Sequence, residues 1–191
     1  METITIQAKS AKLSDEQFFH LCSDNKEIRF ERDKDKNIII MSPTGSKTGI
    51  INAEILRELS NWNKKHKLGY CFDSSSGFTL PNGAIFAPDA SWIAKERWEK
   101  ISENDKERFA PVCPDFIIEV RSKSDTLKQQ QDKMVEWIAN GCKLAWLIDL
   151  EHHTTHVYRP KKKMTVHTFK ETLTGDKILP GFVLKMSGIV I

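Results

Sequence analysis

The stretch between residues 116 and 149 constrains the fold most, because its pattern is strand, helix, strand. Phe116-Ile117-Ile118-Glu119-Val120 is a nearly continuous apolar run, typical of a central buried strand. A helix is predicted over residues 125–140, ending at Gly141, and residues 144–149 form a second buried strand. Such a unit makes a right-handed crossover with parallel strands. The sequence therefore predicts an α/β or α+β fold with a mixed β-sheet flanked by helices.

Further helices and strands are predicted on both sides of this unit. The predicted helices cover residues 15–22 and 47–67, and residues 95–108 form a solvated helix or excursion. Strands are predicted at 28–32, 37–42, 69–73, 77–80 and 90–94, with a small antiparallel finish at 157–158, 165–169 and 182–185. Because no repeat or Pro/Gly-rich linker interrupts the chain, residues 1–191 are predicted to form a single domain.

Composition excludes several classes of protein. No apolar run approaches the ~20 residues of a membrane helix. The formal charge of +3, from 29 basic and 26 acidic residues, permits nucleic-acid binding without arguing for it. The four cysteines are scattered without a CxxC pair, which predicts reduced thiols and neither a zinc site nor a disulfide scaffold. A cytoplasmic protein without a membrane segment is expected.

Glu119 is the most informative residue, because a carboxylate inside an apolar strand is costly to bury without a cation or hydrogen-bond donors. Strand alternation places Glu119 and Arg121 on one face and Ile118 and Val120 on the other. This strand alone supports two interpretations equally, an internal Glu119–Arg121 ion pair and a metal site.

Asp89 changes that balance. It follows Pro88 at the start of a predicted strand, and Glu119 lies toward the end of the next one. If these strands pair antiparallel, the two carboxylates converge. Asp115 would then lie ~13 Å from Glu119 along its strand, so a structural role is expected for it. Two converging carboxylates with room for water are what Mg²⁺ requires.

The two long helices offer further charged groups. On a helical wheel Glu54 lies on the core side of the first, but Glu58 lies near the same arc, and a bond from Glu54 to a neighbouring Arg is equally expected. On the second, Lys133 lies beside the apolar stripe. A lysine there usually extends to water, but this one could reach the carboxylates and position or help deprotonate a water.

Several segments together resemble the Uma2 family of endonucleases, within the PD-(D/E)XK, restriction-endonuclease-like superfamily. The resemblance covers almost the whole chain and rests on residues 41–45, 52–54, 88–93, 114–122, 133–134, 141 and 179–182. It implies a restriction-endonuclease-like fold with Asp89 as the motif aspartate and Glu119 as the acid of (D/E)XK. Glu54 would be the helical acid, so that Asp89, Glu119 and Glu54 are the implied metal ligands.

The motif lysine is missing, because position 121 is Arg121, whose pKa is too high for a base. Either Lys133 takes over the role of this lysine, with Arg121 as an electrostatic aid, or the fold persists with weak or absent catalysis. The first alternative predicts an Mg²⁺-dependent endonuclease that hydrolyses phosphodiester bonds in DNA, with Mn²⁺ as a substitute ion. A homodimer is a possible assembly of this enzyme. The second predicts a nucleic-acid-binding or assembly module. The His152-His153-Thr154-Thr155-His156 stretch is interpreted as a solvated turn rather than a zinc site.

Overall fold

The computed structural model describes residues 4–8, 12–122 and 125–189. Within them the helices are α1 (Asp15–Asp24), α2 (Ser46–His66), α3 (Lys95–Trp98), α4 (Glu103–Lys106) and α5 (Leu127–Ala139). The strands are β1 (Ile4–Ile6), β2 (Arg29–Arg32), β3 (Ile38–Met41), β4 (Gly69–Asp73), β5 (Phe78–Thr79), β6 (Ile85–Phe86), β7 (Ala90–Ala94), β8 (Phe116–Arg121), β9 (Leu144–Asp149), β10 (Thr154–Tyr158), β11 (Thr165–Thr168), β12 (Thr172–Thr174) and β13 (Val183–Lys185).

A six-stranded sheet in the order β11-β10-β9-β8-β7-β4 forms the centre of the fold. As the strand-helix-strand pattern predicts, β8 and β9 are parallel and joined through α5. The other pairs of this sheet are antiparallel, including β7 with β8. All six residues of both β8 and β9 are buried, as expected of central strands covered on both faces.

Each face of the central sheet has its own apolar core. On one face α2 packs through Ile51, Ile55, Leu59 and Trp62, the stripe that the helical wheel predicts, together with residues from the C-terminal β12–β13 hairpin. On the other face, α5 contributes Met134 and Trp137 to a core with residues of β5 and β6. The predicted mixed sheet between helices is therefore confirmed.

A second sheet, which the sequence pattern did not predict as a separate layer, has the order β1-β3-β2-β6-β5. The predicted hairpin at residues 28–42 forms its middle as β2 and β3, while β1 and β6 are additional strands of two or three residues. Gly83 has a φ of 84° in the turn between β5 and β6, a conformation that favours glycine. Its carbonyl accepts a hydrogen bond from the fully buried Arg32.

Local differences from the predicted elements have simple causes. Thr126 caps α5 by accepting a hydrogen bond from the Gln129 N–H, so this helix begins at Leu127 rather than at residue 125. The charged stretch 95–108 contains two helices of four residues, α3 and α4. At the C-terminal end, β10 and β11 extend the central sheet, and only β12 and β13 form a separate hairpin. Within the described residues no helix is both long and apolar enough to cross a membrane.

Candidate active site

The sheet register brings Asp89 and Glu119 together. Ala90 pairs with Ile118 in the antiparallel β7–β8 ladder, so the preceding residue, Asp89, lies opposite Glu119. The Val120 N–H donates to Asp89 Oδ2 at 2.7 Å. The convergence predicted from the start of one strand and the end of the next is therefore present, and the two side chains line the same cavity.

Lys133 connects Glu119 to a third carboxylate, Glu31 of β2. Its Nζ lies 3.0 Å from Glu119 Oε1 and 2.9 Å from Glu31 Oε1. The ammonium also lies over the Phe86 ring. Glu31 and Glu119 are only 4% and 6% exposed. The Lys133 side chain thus extends from α5 toward the two carboxylates instead of into solvent.

Hydrogen bonds fix one oxygen of each glutamate and leave the other open. The Trp137 Nε1–H donates to Glu119 Oε1, and the Ala87 N–H donates to Glu31 Oε1. The contacts of Lys133 fall on the same two atoms. Among the described residues, none donates a hydrogen bond to the Oε2 atoms, so each glutamate keeps an acceptor for an incoming ligand.

Asn52 of α2 completes this arrangement. Its Nδ2 donates to Asp89 Oδ1 at 2.8 Å, while its own Oδ1 is buried without a hydrogen-bond partner among the described residues. On the helical wheel Asn52 is about 20° from Leu59, just outside the buried stripe. A polar residue beside the apolar stripe is the sequence signal that could have identified Asn52.

Glu54, the expected helical acid, does not join these groups. Its carboxylate is bonded by Arg57 Nε and Nη2 at 3.0 and 2.6 Å, and its side chain is 38% exposed. Ile50, its neighbour on the wheel, is 48% exposed, so this flank of α2 faces solvent. The bond to a neighbouring arginine is therefore the interpretation of Glu54 that the structure supports. Glu31 is the third acid that sequence reasoning missed.

Arg121 lines the cavity but is held by other groups. Its Nη2 contacts Asp149 Oδ1 at 2.7 Å and also Glu151, and its Nη1 donates to the Asp125 carbonyl. Asp149, Glu151 and His152 have potential ligand atoms within 4.8 Å of one another. The Arg121 guanidinium already supplies a positive charge next to these acidic side chains. Glu119 pairs with Lys133, and Arg121 pairs with Asp149. The ion pair between Glu119 and Arg121, one of the two interpretations of the sequence, is therefore not formed.

Two other sequence interpretations can be placed. Asp115 is buried and lies 2.9 Å from Arg97 and 2.8 Å from Lys143, and it also accepts the Ala94 N–H. These contacts give it the structural role that its distance from Glu119 implied. Residues 150–153 connect the antiparallel strands β9 and β10, so the predicted turn is confirmed for His152 and His153 only. It is wrong for residues 154–156, which lie on β10, where Thr155 and His156 are buried.

The cavity around the carboxylates has a volume of about 920 Å³. Its walls come from β1, the β2–β3 hairpin, residues 42–48, the end of β8, α5 and the turn after β9. Eight carboxylates and four cationic side chains line it. This acidic excess attracts a cation and disfavours an isolated phosphate group.

The pKa shifts of the buried groups indicate that the positive charge around the carboxylates is insufficient to stabilise their ionised forms. Burial raises the pKa of Glu119 to about 7, against the opposing effect of Lys133, and the charges of Asp89 and Glu31 raise it further. Burial also raises the pKa of Asp89, against the hydrogen bond from the Val120 N–H. Burial alone would lower the pKa of Lys133, but Glu119 and Glu31 outweigh it, so the pKa of Lys133 is raised and its ammonium remains charged.

Comparisons with known proteins agree with this geometry. The Uma2 family model, described as "Putative restriction endonuclease", matches residues 15–187. A crystal structure described as that of "a putative nuclease belonging to DUF820" from Anabaena variabilis ATCC 29413 superposes with a TM-score of 0.76 at 20% sequence identity. The match covers 93% of this chain and 97% of that one, and it shows a shared fold. No curated protein matches the chain.

Proposed function

Because the chain belongs to the Uma2 family, we propose that it is an Mg²⁺-dependent endonuclease that hydrolyses phosphodiester bonds in DNA. The observation that carries this proposal is the group formed by the buried Glu119 and Glu31 and the half-buried Asp89. Among the described residues, a single ammonium, that of Lys133, contacts the two glutamates. Burying carboxylates in such excess is costly unless a further cation joins them. The single domain over residues 1–191 and a cytoplasmic location remain part of the proposal.

The donor atoms suit a divalent metal of the Mg²⁺ type. Asp89 and Glu119 supply carboxylate oxygens, which are the ligands that Mg²⁺ prefers. The unpartnered Asn52 Oδ1 lies beside Asp89 and could accept a hydrogen bond from a water in the coordination shell. When bound, the ion would supply a water of lowered pKa and offset negative charge on the phosphoryl oxygens.

The remaining residues hold and balance this site. Asn52 and the Val120 N–H each donate a hydrogen bond to one oxygen of Asp89. Trp137 donates a hydrogen bond to Oε1 of Glu119. Because its pKa is raised, Lys133 acts as a charged donor that orients a water or a phosphoryl oxygen, not as the base. Arg121 contributes charge at the cavity wall while its guanidinium remains bonded to Asp149.

Cleavage assays test the proposal directly. Purified protein incubated with single-stranded, duplex and forked DNA should produce cuts with Mg²⁺ or Mn²⁺ and none with a chelator. Absence of cleavage of every substrate with either metal ion would overturn the nuclease proposal.

The ion pair that holds Arg121, at the position of the motif lysine, favours the second candidate, a nucleic-acid-binding module. Salt-dependent retention of DNA without cleavage would select it.

The third acid can be identified with a matched pair of variants. Glu31→Gln removes a charge that contacts Lys133, and we expect cleavage to fall by at least about tenfold, or roughly 1.4 kcal/mol of transition-state stabilisation. Glu54→Gln makes the same change outside the cavity and should leave the cleavage rate within about twofold of wild type. Initial rates under matched metal and substrate concentrations decide the question. Equal losses in both variants would return Glu54 to the site.

Metal binding should depend on pH with a defined sign. A pKa of Glu119 raised from 4.5 to about 7 contributes stability that is complete below 4.5 and is lost as the pH rises through about 7. A metal must displace that proton. Calorimetry should therefore show Mn²⁺ binding about tenfold tighter near pH 8 than near pH 6, with proton release in the lower range. Affinity that is constant over this range would contradict the assignment.

A further inference from the structure

The depth of the carboxylates limits which substrates can reach them. Glu31 and Glu119 lie on the floor of the cavity, and both are almost completely buried. Residues of the β2–β3 hairpin, the start of α2, α5 and the turn after β9 also line this cavity. A phosphodiester must therefore enter between these walls, and it cannot react from the outer surface.

The size of the cavity excludes an intact duplex from the floor. A volume of about 920 Å³ equals a cube roughly 10 Å on a side, whereas the backbones on the two sides of the B-DNA major groove lie about 12 Å apart, so the cavity cannot hold both strands. The same volume lies in the range of pockets that enclose small organic molecules. It can accept a strand with its bases unstacked and separated from a partner strand.

The lining chemistry points in the same direction. Apolar side chains of Ile39, Met41, Phe86 and Leu150 line the cavity together with the amides of Gln129 and Gln130. In a duplex the base faces are stacked and unavailable, while a single strand can place them against apolar surface. A duplex also presents the densest phosphate array, about one charge per 1.7 Å, to a lining in which carboxylates outnumber cations.

We propose that the substrate is a single-stranded stretch of nucleic acid, such as a free strand or the unpaired arm of a fork, whose bases enter the cavity beside the scissile phosphate. This inference rests on the proposed nuclease function and specifies its substrate class. Gln130 would contact the entering strand from α5. Val135 lies on the exposed side of the same helix and away from the cavity.

Binding and cleavage together test this inference. With Ca²⁺ as the divalent ion, fluorescence anisotropy should show a single-stranded oligonucleotide binding at least about tenfold tighter than the duplex of the same sequence. With Mg²⁺ or Mn²⁺, a forked substrate should be cut in its unpaired arms. Duplex binding as tight as single-strand binding, or cuts confined to the paired region, would overturn the inference while leaving the nuclease proposal intact. Preferential single-strand binding without any cleavage would support the substrate class and overturn the nuclease activity alone.

Two single substitutions on α5, one inside the cavity and one on the exposed face, test whether the strand enters the cavity. Gln130→Glu adds a negative charge inside it, and the affinity for the single strand should fall by at least about fivefold. Val135→Glu adds the same charge to the exposed face of α5 and should change this affinity by less than about twofold. Equal affinities in Gln130→Glu and wild type would place the strand outside the cavity and contradict the inference.

Discussion

Replacing Glu119 with Gln is expected to lower metal-dependent cleavage by at least about a thousandfold, which corresponds to roughly 4 kcal/mol of transition-state stabilisation. The amide keeps the size of the side chain and can still accept the Trp137 N–H, but it removes the charge that a metal requires. Calorimetry should show the parallel loss of Mn²⁺ binding. Rates are compared under single-turnover conditions, so that slow product release does not hide the loss.

The fold of this variant should persist, which separates catalysis from stability. Burial raises the pKa of Glu119, so its ionised form is unfavourable in the metal-free protein at neutral pH. Glu119→Gln should accordingly melt at or above the wild-type temperature when the pH exceeds about 7. Cleavage within about tenfold of the wild-type rate, in a folded variant, would remove Glu119 from the mechanism.

The second large effect is on stability and concerns Arg121. Arg121→Met keeps the aliphatic length but leaves the fully buried Asp149 without its guanidinium partner. Breaking a buried ion pair by removing one partner is strongly destabilising, so we expect a loss of about 3 kcal/mol in the free energy of unfolding. Denaturant titration followed by tryptophan fluorescence measures this loss as a shift of the midpoint at a constant slope.

Arg57→Met provides the matched control. Arg57 also contacts two carboxylates, Glu54 and Glu58, but all three side chains are solvent-exposed to a large extent. Exposed ion pairs contribute little, so the denaturation midpoint of this variant should remain close to that of wild type. Equal shifts in both variants would show that Arg121 does not stabilise the fold through its buried partner.

Reasoning from sequence succeeded where a strong periodic pattern coincided with an unusual charge. The apolar run around Glu119 identified a central strand, and the antiparallel register then brought Asp89 to it. The unusual residue was the signal in both cases, because a buried acid needs a partner. The position of Lys133 on α5, directly after that strand, was sufficient to place its ammonium near Glu119.

Glu31 was missed because the burial of β2 depends on neighbours that leave little trace in the sequence. The segment Arg29-Phe30-Glu31-Arg32 has charged residues on both sides of Glu31 and resembles a solvated strand. In the structure, β2 lies in the middle of the five-stranded sheet, beside β6, which has only two residues. Strands this short have no detectable periodicity. The layer that buries Glu31 could therefore not be predicted.

The contact between Lys133 and Glu31 also joins distant parts of the chain, because the two residues are 102 positions apart in sequence. Closing a loop of this length has an entropic cost that favourable contacts must offset. A state in which the N-terminal hairpin is undocked would lack one wall of the cavity. A cation that binds only the docked state would shift this equilibrium by mass action. The metal would then serve as a folding ligand for the N-terminal part of the chain.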